Sequence, residues 1–371
     1  MDNTSFFSSG QYGCAIYPRI TCKGNQSKKI NKKNNLISKI TVADFYSDNE
    51  YYIGNKLSKI KNNESFIFIE KQCGITKKTV KKINDKYTCK ATKDTEKRKN
   101  FVMLYSKYVP SIQLTKFFET NFSIKDVYKY YVFCLKNIDI LLENNIIHRD
   151  MHLGNILINT NKEMFLIDFG LSLYTKKLYK NNNKINYEYL SKILITYDNK
   201  WYYWTIENHI LNHYIFKNTK LDNITLKMII EDYYNNNHVF KTLYIDNELY
   251  NYKKEVYNYY SNKFVNNQNI DTHIKDILNN AIPTWDLYQL SYLTFYLLKD
   301  EYNNIQSLNE LFNILKKSLH FNYNVRPSIK GLLNLNLGFI KNGEPLLEKA
   351  SNDKLNKEDI KYVSRTIDRF Y

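Results

Sequence analysis

His148-Arg149-Asp150, Asn155 and Asp168-Phe169-Gly170 fall within 23 residues, and what lies between them dictates a local fold. Ile156-Leu157-Ile158 and Met164-Phe165-Leu166-Ile167 read as two short buried strands, and the polar run Asn159 to Glu163 reads as the turn joining them. Folded as a hairpin, the segment brings Asn155 and Asp168 side by side at its open end. Their side chains offer hard oxygen ligands of the kind Mg²⁺ prefers, and Asp150 can accept a proton from an attacking hydroxyl. The plainer alternative is an Asp and an Asn that only cap turns. It leaves unexplained why seven specified residues stand at a spacing suited to phosphoryl transfer.

This string resembles the catalytic loop and metal-binding triplet of the eukaryotic-type serine/threonine protein kinase superfamily. The resemblance implies an α+β, bilobal protein-kinase-like fold with a β-rich N-lobe and a mainly helical C-lobe. It implies ATP and Mg²⁺ as cofactors and a protein with a Ser/Thr acceptor as partner. Residues 1–105 are then the N-lobe, 106–335 the C-lobe and 336–371 a C-terminal helical tail. Between Glu207 and Asp286 lie 78 residues, more than the family usually has, which places an insertion at about 211–280.

Hydrophobic patterning follows the same order. Gly10 to Tyr17, Leu36 to Ile40 and Ser65 to Glu70 read as strands, and Asn49 to Lys61 as a helix with Tyr52, Ile53, Leu57 and Ile60 at helical spacing. Lys71 to Lys99 reads as Lys-rich surface. After Phe101-Val102-Met103-Leu104-Tyr105 the pattern turns helical. Ser123, with Asp126 three residues on, marks a helix start, and Val127, Tyr131, Cys134, Leu135, Ile138, Leu141 and Leu142 form a core stripe.

The resemblance carries over residue by residue. Ser8-Ser9-Gly10-Gln11-Tyr12-Gly13-Cys14-Ala15 fits the glycine-rich loop at its second and third glycines, with Ala15 where Val usually packs on adenine. The longer string through Pro18 and Cys22 is similar to kinases of large DNA viruses of the mimivirus or poxvirus type. Lys39 is the strand lysine for the α- and β-phosphates, and Glu50 its carboxylate partner, with Asp48 as the alternative. Met103 would back the adenine pocket, and the backbone from Leu104 to Ser106 would bond the base. Asp150 is the base, and Asn155 and Asp168 hold the metal. His152 stands where many protein kinases have Lys, a substitution similar to that of small-molecule phosphotransferases. Partly protonated imidazole at His152 would steady the γ-phosphate, so activity should fall above about pH 7. Glu207 matches the acid that closes the activation segment, Asp286 the aspartate of a large-lobe helix, and Arg326 the late arginine that pairs with Glu207. Arg149 matches a residue that often binds a phosphorylated side chain, for which Thr175, Thr196 and several tyrosines between Gly170 and Glu207 are candidates.

Composition bounds the rest. The 371 residues carry a net charge of +17, yet no nucleic-acid reader motif accompanies it, so dedicated nucleic-acid binding is not expected. Abundant Asn, Lys, Ile and Tyr read as genome bias. No apolar run is long enough to span a membrane and the N-terminus lacks a signal peptide, which makes the cytoplasm, or a viral assembly site within it, the expected setting. Five scattered cysteines without a CxxC pair read as free thiols. Two rivals to the protein kinase reading are a small-molecule phosphotransferase, which suits His152, and a pseudokinase scaffold.

Overall fold

Every residue from Phe101 to Tyr105 is buried, although successive side chains in a strand point to opposite faces, so this strand is covered on both sides. A computed structural model describes residues 6–9, 13–21, 35–92, 100–120, 123–194, 201–217, 221–266, 269–301 and 308–335. The expectations for Gly10, Cys22, Thr196 and the tail from 336 onward lie outside the described residues. The chain divides into two compact units. The first comprises the described residues up to Lys116 together with Leu153–Ser172; the second comprises Phe117–His152 and the described residues from Leu173 on.

In the first unit, strands β1 (Phe6–Ser9), β2 (Gly13–Tyr17), β3 (Leu36–Val42), β4 (Ile69–Ile75) and β5 (Phe101–Lys107) form an antiparallel sheet in the order β1-β2-β3-β5-β4. One face buries Ile16, Leu36, Ile40, Met103 and Tyr105 with Ile83, and the other buries Ile69, Val102 and Leu104 with Tyr51. Helix α1 (Phe45–Leu57) supplies Tyr51, and helix α2 (Lys77–Lys86) supplies Ile83. The helix foreseen at Asn49–Lys61 thus begins four residues earlier. Asp44 and Ser47 form a capping box, with Ser47 N–H donating to Asp44 Oδ1 at 2.9 Å and Asp44 N–H to Ser47 Oγ at 3.0 Å. A Cβ on Gly54 would collide with the Ile69 carbonyl, which shows how closely α1 lies on β4.

The strand foreseen at Ser65–Glu70 starts only at Ile69 and continues through polar Lys71 and Gln72, which an edge strand tolerates. The Lys-rich stretch after it contains α2, whose Val80 and Ile83 are buried while Lys77, Lys78, Lys81 and Lys82 are exposed. The free-thiol expectation fails. Cys14 and Cys89, 75 residues apart, are joined by a disulfide, and Cys73 is disulfide-bonded as well; Cys134 is free and buried. Pairing follows from where β2 meets the turn before Lys90, a placement that spacing along the chain does not reveal.

The foreseen hairpin is present. Strands β7 (Ile156–Asn159) and β8 (Met164–Leu166) pair antiparallel, and β6 (Ser111–Gln113) flanks β7. Asn159 fixes the turn, its Oδ1 accepting from the N–H groups of Asn161 and Glu163 at 2.9 Å each.

The second unit is mostly helical. Its longer helices are α3 (Ile124–Glu143), α4 (Ile206–Lys217), α5 (Asn223–Asn235), α6 (Asp246–Phe264), α7 (Trp285–Leu298) and α8 (Asn309–Ser318). Ser123 caps α3 as foreseen. All residues of α7 are buried, the polar Asp286, Gln289, Ser291 and Thr294 among them. The 211–280 stretch contributes α5 and α6, and its Tyr233, Tyr234, Tyr252 and Tyr260 are core residues. Several of the tyrosines read as compositional bias are therefore structural.

Candidate active site

Alternation along β3 puts Lys39 on the face that α1 covers. Across the sheet its register partners are Ala15 on β2 and Leu104 on β5. Its ammonium lies 2.9 Å from Glu50 Oε2, 3.1 Å from Glu50 Oε1 and 3.2 Å from Asp168 Oδ2. Glu50, not Asp48, is the partner; Asp48 Oδ1 accepts from Gln72 instead. Burial works against the charge on Lys39, but Asp168 and Glu50 outweigh it and hold the ammonium above the usual lysine range. Burial pushes the Glu50 carboxyl up to about 7, against the pull of Lys39. Gly13 has to be glycine here, because a Cβ would sit 2.9 Å from the Ile40 carbonyl oxygen and 3.4 Å from the Lys39 stem.

Asp168 adopts a left-handed backbone, φ 63°, unusual for a residue with a side chain. The next residues are tied down by Asn49, a buried neighbour of Glu50 on α1. Its amide donates to the carbonyl oxygens of Gly170 and Ser172, each at 2.9 Å. Asn155 lies at the same end of the hairpin, where its carbonyl accepts from Ile167 N–H at 2.9 Å. The first unit thus gathers Lys39, Glu50, Asp168 and Asn155.

Two adenine assignments need correction. Met103 is on the opposite sheet face from Lys39, in the cluster with Ile16, Ile40 and Ile83, so it cannot back a pocket on the Lys39 side. The backbone of Leu104 and Ser106 is engaged within the sheet: Leu104 pairs with Lys39 and Gln72, and Ser106 with Ile37 and Ile69. Strand β5 runs through Lys107, three residues past the foreseen start of the hinge at Leu104.

The second unit carries Asp150 and His152, both buried, with His152 Nε2 3.5 Å from Asp150 Oδ2. Trp201 packs edge-on against His152. The backbone before Asp150 is held by Asp286, whose oxygens accept from His148 N–H and Arg149 N–H at 2.7 Å each. Burial raises the Asp286 carboxyl to about 7, even though these two bonds pull it down. Arg149 is left-handed, φ 66°, and 1% exposed. Its guanidinium lies 4.6 Å over the Trp204 ring and donates to the Ile193 carbonyl. Arg149 O accepts from Trp204 Nε1 at 3.1 Å and from Gln289 Nε2 at 2.9 Å.

Glu207 and Arg326 pair as foreseen, both side chains 0% exposed. The pair is bidentate, at 2.6 and 3.0 Å. Sequence reading missed Asn49, Trp204 and Gln289. Of these only Gln289 had a local signal, standing three residues after Asp286 on the same helical face.

A family model, that of the protein kinase domain, matches residues 55–337. The match takes in Asp150, Asn155, Asp168, Glu207, Asp286 and Arg326, and leaves Lys39 and Glu50 ahead of it. No curated protein matches the chain. The β-rich N-terminal region and the mostly helical remainder are the α+β fold of this family, and the chain belongs to the protein kinase domain family, as a phosphotransferase.

Proposed function

We propose that the chain transfers the γ-phosphate of ATP to a serine or threonine hydroxyl of a protein substrate. The observation that carries this reading is the Lys39 ammonium shared between Glu50 and Asp168. A lysine kept charged in this way can bind phosphate oxygens while Glu50 fixes its position. Asn155 and Asp168 would hold Mg²⁺. Two oxygen ligands from protein suit an ion that takes its remaining ligands from substrate phosphates and water, and no cluster of three or more metal-ligating side chains occurs among the described residues. When bound, the ion neutralises phosphate charge.

Asp150 would take the proton of the acceptor hydroxyl as its oxygen bonds to the γ-phosphorus and the bond to the β-phosphate oxygen breaks, releasing ADP. His152 lies beside Asp150 and would add positive charge when protonated. The base would lie beyond the paired length of β5, which ends at Lys107, in place of Leu104 to Ser106. Because Arg149 is committed to Trp204 and Ile193, transfer would not wait for a phosphorylated activation segment. The viral likeness, and the host cytoplasm or assembly-site setting it implies, rests on residues 10–18 and Cys22 alone. No helix among the described residues is long and apolar enough to cross a membrane.

Incubating the pure protein with labelled ATP, Mg²⁺ and generic acidic and basic proteins tests the reading. Label on protein serine or threonine that vanishes with Asp150→Ala is the expected result. Label only on small acceptors would favour a small-molecule phosphotransferase, and nucleotide binding without transfer would favour a scaffold.

A further inference from the structure

Asp286 secures the backbone on the N-terminal side of Asp150, but the two polar groups that flank Asp150 itself are Arg149 C=O and Met151 N–H. One side chain serves both. Gln289 Nε2 donates to Arg149 O at 2.9 Å, and Gln289 Oε1 accepts from Met151 N–H at 2.8 Å. We propose that Gln289 is a positioning residue for Asp150, fixing the peptide planes on either side of it. The proposal rests on the reading of Asp150 as the base.

Three features single out this contact. Gln289 is 1% exposed, so neither flanking group can turn to water if the amide is lost. Arg149, at φ 66°, holds a conformation that side-chain-bearing residues avoid, and such a conformation persists only where its surroundings over-determine it. A carboxamide also carries a donor and an acceptor on one planar group, which is what a C=O and an N–H two residues apart require. Trp204 supplies a second donor to Arg149 O, but Gln289 bonds both flanks. Loss of that tie would let the Asp150 carboxylate swing, and misplacing a reacting group by about 1 Å can cost on the order of 100-fold in rate.

Two substitutions separate positioning from mere packing. Gln289→Met fills a similar volume without either polar group. Gln289→Glu reproduces the donor and acceptor pair only when protonated; ionised, it turns an oxygen toward Arg149 C=O. In Gln289→Met, kcat should fall on the order of 10- to 100-fold with KM for ATP within about twofold of wild type. Burial raises a carboxyl above its usual range, so in Gln289→Glu kcat relative to wild type should recover as pH is lowered from about 8 to about 5, while the ratio for Gln289→Met stays flat. Amide exchange across residues 148–152, followed by mass spectrometry without turnover, should be faster in Gln289→Met.

A kcat within about twofold of wild type in Gln289→Met overturns the proposal, and so do identical pH profiles for the two variants. Faster exchange with unchanged kcat sinks the positioning role and leaves the function standing. A wild type that transfers no phosphate, or that keeps its rate as Asp150→Ala, sinks the reading of the base and this role with it.

Discussion

Replacing Arg326 with Met strands a carboxylate inside the second unit. Arg326 gives Glu207 two bonds, at 2.6 and 3.0 Å, and also donates to His320 O at 2.8 Å and Thr284 Oγ1 at 2.9 Å. Without the cation, Glu207 keeps only neutral donors: Trp285 Nε1 at 3.2 Å and the Tyr260 hydroxyl at 3.3 Å. Removing one member of a buried ion pair costs about 3–5 kcal/mol, because the survivor is a charge without water. Glu207→Gln should cost a similar amount by stranding Arg326. The double variant should cost no more than either single, since the second change discharges the ion that the first exposed. Against a total stability on the order of 5–15 kcal/mol, each single loss is large enough to move a urea midpoint far down. All three tryptophans, Trp201, Trp204 and Trp285, lie in this unit, so their fluorescence reports its unfolding. Additive losses, or a cost below about 1 kcal/mol for Arg326→Met, would refute the reasoning.

Acid should weaken the second unit through His209. Its Nε2 donates to Trp201 O at 3.1 Å, and burial pushes its pKa down to about 4 from 6.5. The fold favours neutral imidazole, so this stability is complete above about pH 6.5 and is lost as pH falls toward 4. The loss is about 2–3 kcal/mol by pH 4.5 in urea titrations, and equal acid sensitivity in His209→Gln would count against it. Cys14→Ala with Cys89→Ala opens a 75-residue span and should cost the first unit about 4 kcal/mol, seen as a lower melting temperature by circular dichroism; an unchanged melt contradicts this. Asn49→Asp should weaken ATP·Mg²⁺ binding more than Asn49→Ala, by about tenfold or more. Its carboxylate would face two carbonyl oxygens, and calorimetry giving the reverse order refutes the tie. Phosphatase-treated protein should keep its transferase rate, because Arg149 is already stacked and bonded; a loss beyond about tenfold would show that a phosphate is needed after all.

How far the sequence could be read depends on the range of each interaction. The hairpin between Asn155 and Asp168 was legible because its strands, its turn and the Asn159 side chain that closes it lie within a dozen residues. Lys39 and Glu50 were legible because the kinase resemblance calls for a lysine on an apolar strand and a carboxylate on the helix after it, although that helix starts four residues before Asn49, where Asp44 and Ser47 cap each other. The adenine contacts failed for a different reason. Whether Met103 or Leu104 faces Lys39 depends on register, and a shift of one residue exchanges the faces of a strand, a choice that an all-apolar run such as Phe101–Tyr105 does not encode. The disulfide between Cys14 and Cys89 depends on tertiary placement in the same way. Asn49 and Gln289 lie furthest beyond sequence reading. Each is a carboxamide bonding backbone atoms more than 120 residues away, and a backbone atom has no identity in a sequence. Yet these two hold the segments that carry Asp168 and Asp150, one in each unit. The residues that perform chemistry are legible because chemistry restricts their type. The residues that aim them need only reach a C=O or an N–H, and so they surface only when the fold is known.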